Sequence, residues 1–270
     1  VGEDTGDRLV AGLTRAMAGL KVGAFDDSGN DFGPVITPQH RDKVIAYEVL
    51  SRMEVDGEIM RADEFVEIAE KIGINEVTGE FTTNFPATAY RVNNIGKSAG
   101  LVNGVLVKPG ETFSMNKLLG PRTLAQGWMA GGAIDGGKVV ERMGGGISQT
   151  TTTTFNAIFF AGLEDVYHKP HSLYFSRYPV GREATLDWQS VDMKFRNDSP
   201  YGVVLQAWTT GKVGQTGSVT VRVWSTKRYT IKASTPVRSN YRSPGATQYD
   251  DSPGCVAQSA MSGFDVRYKR

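Results

Sequence analysis

The chain of 270 residues has a single cysteine, Cys255, which excludes an internal disulfide. No CxxC pair and no Cys/His cluster suggests a metal site. Histidine is nearly as scarce, with three copies, His40, His168 and His171, so imidazole chemistry has few places to occur. An excess of either charge is also missing. Lys plus Arg number 30 against 29 Asp plus Glu, a net charge of +1, and bulk electrostatics therefore draw the protein neither to nucleic acid nor to an anionic membrane surface. There is no apolar run long enough to span a bilayer and no signal-peptide pattern. A phosphate-binding loop of the G-x-x-x-x-G-K-[ST] type is absent too, because no lysine follows the glycines at 144–146.

What remains is an ordinary globular composition, 40% hydrophobic and 22% charged with 32 Gly and 11 Pro, enough for one large domain or two small ones. Residues 1–55 read as helical: Leu9, Leu13, Met17 and Leu20 share one face, and Thr37-Pro38 opens a second helix as N-cap and N1. Phe65, Ile68, Ala69 and Ile72 line a short helix closed by Gly73. Residues 76–89 read as extended and 91–101 as a helix of mixed face. Strands are expected at 102–107 and 112–115, with a hairpin at 133–140. Further strands are expected at 172–176, 184–188, 192–197, 203–208 and 219–224, the last two pairing through the Gly-containing turn between them. Residues 234–262 look loop-like. The expected class is α+β, mostly antiparallel, with a buried helix after the Gly144–Gly146 loop and a helical segment ahead of the domain.

That loop is Gly144-Gly145-Gly146-Ile147-Ser148-Gln149, followed by five threonines and an apolar run in which residues 156–161 read as a buried helix closed by Gly162. Ser148 falls at the turn into a helix, where unpaired N–H groups collect. It is either a nucleophile with an oxyanion hole at hand or a simple N-cap, and local pattern favours neither. A serine nucleophile needs a base. His171 is the better candidate, while His168 suits the end of the preceding helix. Glu183 and Asp192 are candidate orienting carboxylates, and Arg177 or Arg182 could hold a substrate carboxylate. Spacing alone makes such a triple weak. Trp128, Tyr174, Tyr178, Trp188 and Trp208 could line a groove or fill sheet faces.

Two resemblances sharpen this. Leu20-Lys21-Val22-Gly23, the run from Asp31 to Thr37 and the run from Gln39 to Val44 resemble a piece of the aldehyde dehydrogenase family over residues 1–47, without its nucleophilic cysteine or a dinucleotide-binding segment. Residues 63–270 resemble the VanW family. The carriers are Phe81-Thr82-Thr83-Asn84-Phe85, Arg91-x-x-Asn94-Ile95, Pro109-Gly110-Glu111-Thr112-Phe113-Ser114 and Gly120-Pro121-Arg122-Thr123. The glycine loop itself, His171-Ser172-Leu173-Tyr174, Arg177-Tyr178-Pro179-x-Gly181-Arg182-Glu183-Ala184-Thr185 and Asp192-x-x-Phe195-Arg196-Asn197 complete the set.

The second resemblance implies an extracytoplasmic protein acting on or binding peptidoglycan or its stem peptides. Some members resemble L,D-transpeptidases with a cysteine that maps onto Ser148 and a histidine that maps onto His171. Gly144, Gly145, Gly146, Gln149, Arg177 and Arg182 then become substrate-binding candidates, and no cofactor or metal is implied. The departure from cysteine matters, because a hydroxyl needs full general-base activation where a thiol is partly ionised already. An acyl-transfer enzyme and a wall-binding module without chemistry both fit. The implied division is 1–55, a VanW-like domain over 56–228 and an extension over 229–270 that continues in relatives, where Cys255 would find a disulfide partner.

Overall fold

The computed structural model describes residues 54–55, 58–59, 71–135, 138–247, 249, 251 and 259–270, all within the unit Val49–Arg270. The expected N-terminal helices, the dehydrogenase-like stretch, the helix through Phe65 and Cys255 lie outside the described residues. Strands β1 (Glu54–Val55) and β2 (Glu58–Ile59) form a minimal antiparallel pair.

The frame is a four-stranded antiparallel sheet. It is built from β3 (Glu76–Pro86), β4 (Val105–Val107), β10 (Val203–Thr210) and β11 (Thr216–Ser225), in the order β3-β11-β10-β4. β10 and β11 pair as a hairpin with Val204 opposite Trp224, as their alternation leads one to expect. Helix α1 (Ala89–Val102) lies against β10, helix α3 (Ser148–Ala161) lies against β3 and β11, and the two helices touch. Their shared core holds Ile95, Val102, Phe155, Ile158, Leu205, Val221 and Val223. Burying each such side chain is worth roughly 1.5–3 kcal/mol against exposure. α3 approaches β3 closely enough that a Cβ on Gly79 would stand 2.3 Å from Ala157 O, so the crossing requires glycine there.

A second sheet, β5-β9-β8, joins β5 (Thr112–Ser114), β8 (Glu164–Tyr167) and β9 (Lys194–Arg196). β5 runs straight into the short helix α2 (Met115–Leu119). β6 (Ala130–Asp135) and β7 (Lys138–Met143) form the expected hairpin. The class is α+β with antiparallel pairing throughout the described strands.

Three local expectations differ from the structure. α3 runs back from the apolar stretch 156–161 to Ser148, the residue expected at the turn into a helix, and so takes in all five threonines, each fully buried. Threonine costs about 0.6 kcal/mol against alanine in a helix, so the run forgoes about 3 kcal/mol of propensity. Tertiary hydrogen bonds and burial offset it. Thr150 pairs with Ser98 at 2.6 Å, Thr153 with Thr83 at 2.6 Å, and Thr152 both accepts from Ala184 N at 3.1 Å and donates to Ala184 O at 3.0 Å.

Residues 172–176 and 184–188 are not strands. The second segment bonds helix α3 through Thr152 and the loop through Thr185 N to Lys169 O, so its backbone is satisfied without a sheet neighbour. Conversely, the loop-like 234–262 contains β12 (Val237–Arg242), which pairs with β13 (Gly263–Arg267). Every β12 side chain is exposed, so no apolar alternation announces the strand.

Candidate active site

The entry to α3 is shaped by three glycines for two different reasons. Gly144 and Gly146 hold φ of 77° and 88°, where a side chain is strained. Gly145 holds no such angle, yet a Cβ there would sit 2.3 Å from the carbonyl carbon and oxygen of Gly131. The loop therefore lies backbone-to-backbone on β6. Asn94, fully buried on α1, secures it by donating to Gly145 O at 2.9 Å and Met129 O at 2.8 Å while accepting from Met129 N at 2.9 Å.

Ser148 emerges from this turn as the first residue of α3 and lines a cleft of about 1010 Å³. Its hydroxyl pairs with Thr185 Oγ1 at 3.2 Å, and no hydrogen bond joins it to His171. His171 lines the same cleft. Its Nδ1 meets Glu183 Oε2 at 2.8 Å, with side chains only 6% and 5% exposed. A neutral imidazole donating from Nδ1 to this carboxylate leaves Nε2 as a free base. Phe175 meets the ring edge-on and Tyr178 lies parallel to it, 5.6 Å between centroids.

Tyr178 in turn donates to Gln149 Oε1 at 3.1 Å, and Gln149 Nε2 donates to Thr83 Oγ1 at 2.6 Å and Asn84 O at 3.1 Å. Burial pushes the Tyr178 phenol up to about 12, with Glu183 adding to the rise and Arg177 and Arg91 opposing it. Gln149 is thus turned into the core, not toward the cleft, and serves as the link between sheet, helix and the histidine's neighbour.

The structure separates the remaining candidates. Glu183 is joined to His171. Asp192 is not: it accepts from Ser114 Oγ at 2.6 Å and from Asn116 N at 2.9 Å, capping α2. Arg177 lines the cleft, its guanidinium over Phe175 at 4.7 Å. Arg182 does not, because it is packed among Phe81, Phe159, Phe160 and Tyr268, where burial lowers its pKa. Neither Arg182 nor the Gln149 side chain stands where it could grip a substrate in the cleft. His168 does not cap α3 either. Gly162 ends the helix in the left-handed region, and His168 stacks on Phe155 and pairs with Asp165 at 2.7 Å.

Of the aromatic candidates, Tyr178 and Trp188 line the cleft, while Trp128 is core. Sequence reasoning missed Thr185, the partner of Ser148, and Arg122 on the cleft wall. Arg122 donates to Asn116 Oδ1 and Gly120 O, and stands 5.5 Å over the Trp188 ring. Its pKa is lowered by burial, against the pull of Asp187 and Asp192. Arg91 was also given no role; it stands in a recognisable Arg-x-x-Asn pattern, the one signal that could have flagged it.

Among the described residues no group of His, Cys, Asp or Glu could hold a metal ion, and no helix is long and apolar enough to cross a membrane. A family model described as VanW like protein matches residues 90–224, which covers the glycine loop, α3, His171 and Glu183. The chain is similar to the uncharacterized protein YoaR of Bacillus subtilis (strain 168), 34% identical over 148 residues, 54% of this chain and 47% of that protein. It is also similar to the vancomycin B-type resistance protein VanW of Enterococcus faecalis (strain ATCC 700802 / V583), 29% identical over 127 residues, 44% of this chain and 45% of that protein. The chain spans about half the length of these curated relatives. No solved structure matches it.

Proposed function

The chain belongs to the VanW-like family, and from that premise we propose that it is a cell-envelope protein whose cleft performs acyl transfer on peptidoglycan stem peptides. The observation that carries the reading is the buried His171–Glu183 pair opening on the same cleft as Ser148. A buried carboxylate that fixes the tautomer of a histidine, in one cleft with a hydroxyl at a helix N-terminus, supplies the groups that nucleophilic acyl transfer uses. One of the relatives is named for vancomycin resistance, which supports a role at the cell wall.

In this reading Ser148 Oγ attacks a peptide carbonyl and passes its proton to His171 Nε2. Glu183 steadies the resulting imidazolium through Nδ1. His171 then gives the proton to the departing amine, leaving an ester on Ser148, which a second amine or water resolves. The tight turn consumes Ile147 N and Gln149 N in bonds to Gly144 O and Gly146 O, so the Gly146 and Ser148 N–H groups are the donors left for the developing oxyanion. Ser148 must first exchange Thr185 for His171 as its hydrogen-bond partner.

The Ser148–Thr185 bond also favours a second reading, a wall-binding module that keeps the cleft without the chemistry. Incubation with muropeptides followed by mass analysis separates the two, using the native protein, Ser148→Ala and Ser148→Cys. Acyl transfer predicts turnover by the native protein, abolished in Ser148→Ala. Turnover confined to Ser148→Cys would mean a retained scaffold with a disabled nucleophile, and binding without turnover in all three would establish the module.

A further inference from the structure

The charges around the cleft are lopsided. Among the described residues Arg91, Arg122, Arg142, Lys169 and Arg177 line it, against one lining carboxylate, Asp187. That carboxylate is already engaged by Ser190 Oγ and stands beside Arg122. Arg122 is engaged as well, by Asn116 and Gly120. Arg91 and Arg177 differ from it.

Arg91 stands in the first turn of α1, with its Cγ 3.5 Å from where a Cβ of Gly146 would be, two residues before Ser148. Its Nη1 is buried yet has no acceptor among the described residues. A buried charged N–H without an acceptor is destabilising, and an oxygen arriving with a ligand removes the penalty. Arg177 is exposed, with its Cζ 4.7 and 5.6 Å from the centroids of the Phe175 and Tyr178 rings. A guanidinium held against aromatic rings on the cleft surface keeps N–H donors for a ligand. Both line the cleft that Ser148 lines, Arg91 beside Gly146 and Arg177 beside the Tyr178 ring.

We propose that Arg91 and Arg177 form a carboxylate-binding subsite beside Ser148, which selects anionic peptides and fixes the carbonyl presented to the serine. The peptide part of this statement rests on the acyl-transfer reading; the anion site does not. Gly132, Ala133, Ile134 and Val139 line the same cleft and offer apolar surface to the rest of such a ligand.

The test uses the full chain labelled with 15N, following arginine side-chain Nε–Hε resonances by NMR, assigned from Arg91→Gln and Arg177→Gln. The probes are glutarate and its neutral isostere glutaramide. Glutarate should shift the Arg91 and Arg177 signals saturably while glutaramide leaves them in place. Arg91→Gln should weaken glutarate binding on the order of tenfold, in line with charge-assisted hydrogen bonds. Arg91→Lys, which keeps the charge and loses the fork, should fall between.

An equal response to the diamide, a shift confined to Arg122, or unchanged binding in Arg91→Gln would overturn the subsite. Carboxylate binding without turnover of any muropeptide leaves the subsite standing and removes the acyl-transfer reading. Turnover indifferent to amidation of the peptide's carboxylates does the reverse.

Discussion

Removing one oxygen, in Tyr178→Phe, should produce a stability difference that changes sign with pH. At neutral pH the substitution deletes the hydrogen bond to Gln149 Oε1 and leaves that buried acceptor unpaired, while the ring stacked on His171 stays. The expected cost is about 1–2 kcal/mol. The phenol of the folded protein ionises at about 12 instead of 10. Below pH 10 folded and unfolded chains both hold the proton, and the full contribution is present. Between pH 10 and 12 the unfolded chain has released it and the folded chain has not, so stability falls as pH rises. Two units amount to about 3 kcal/mol, gone once the pH passes the folded value. Half of that is lost near pH 11, so the denaturation curves of the native protein and Tyr178→Phe should cross at about that pH. Tyr268, also raised to about 12, is common to both proteins and cancels in the difference. Urea midpoints across pH 8–12, paired with tyrosinate absorbance, measure the effect. A stability gap that stays constant across the range would refute the account of the buried phenol.

Glu183→Gln should preserve the fold's secondary structure but lower any muropeptide turnover by on the order of 10³–10⁴, because the imidazolium loses its counter-charge and the tautomer its selection; a loss under tenfold would remove Glu183 from the mechanism. Thr152→Val keeps shape and deletes both bonds to Ala184, so roughly 2–4 kcal/mol should disappear from urea unfolding with the slope unchanged. Gly145→Ala should cost more than about 2 kcal/mol, since its Cβ would meet backbone at 2.3 Å that has no rotamer to yield. Gly100→Ala, in α1 with open space around it, should instead stabilise by about 0.5–1 kcal/mol, and thermal melts of the pair would show opposite signs.

The parts of this molecule that were legible in sequence are those where local chemistry and tertiary role agree. β10 and β11 alternate as strands should, Gly162 ends its helix where a left-handed residue is needed, and the glycine loop announces a tight approach. The missed parts are those where a tertiary partner overrides local preference. The five threonines have poor helix propensity, and they are helical because Ser98, Thr83 and Ala184 satisfy them from outside. Glu183 and Asp192 were indistinguishable as carboxylates on similar text; what separates them is the hand-off of 184–185 to Thr152 and Lys169, which carries Glu183 to His171. Arg177 and Arg182, five residues apart, diverge for a similar reason. One lies on the cleft side of the segment and the other on the aromatic packing of α3.

That divergence also says why Gln149 follows the serine. A substrate-binding glutamine would need to face the cleft, and on a helix the residue after Ser148 points about 100° away from it. Pointing inward, Gln149 spends its donors on Thr83 and Asn84 of β3 and its acceptor on Tyr178. It thereby couples the central sheet to the ring that supports His171. The serine and its histidine are thus referenced to the same rigid strand, one through the helix and the other through the tyrosine. Two groups that must meet within a hydrogen bond but sit 23 residues apart in sequence need such a common reference. Replacing Gln149 by glutamate would put a carboxylate against the Tyr178 hydroxyl and the buried Glu183 field. The expected result is loss of the His171 geometry before loss of the fold, visible as a displaced His171 ring resonance in a protein whose urea midpoint has moved but whose unfolding remains cooperative.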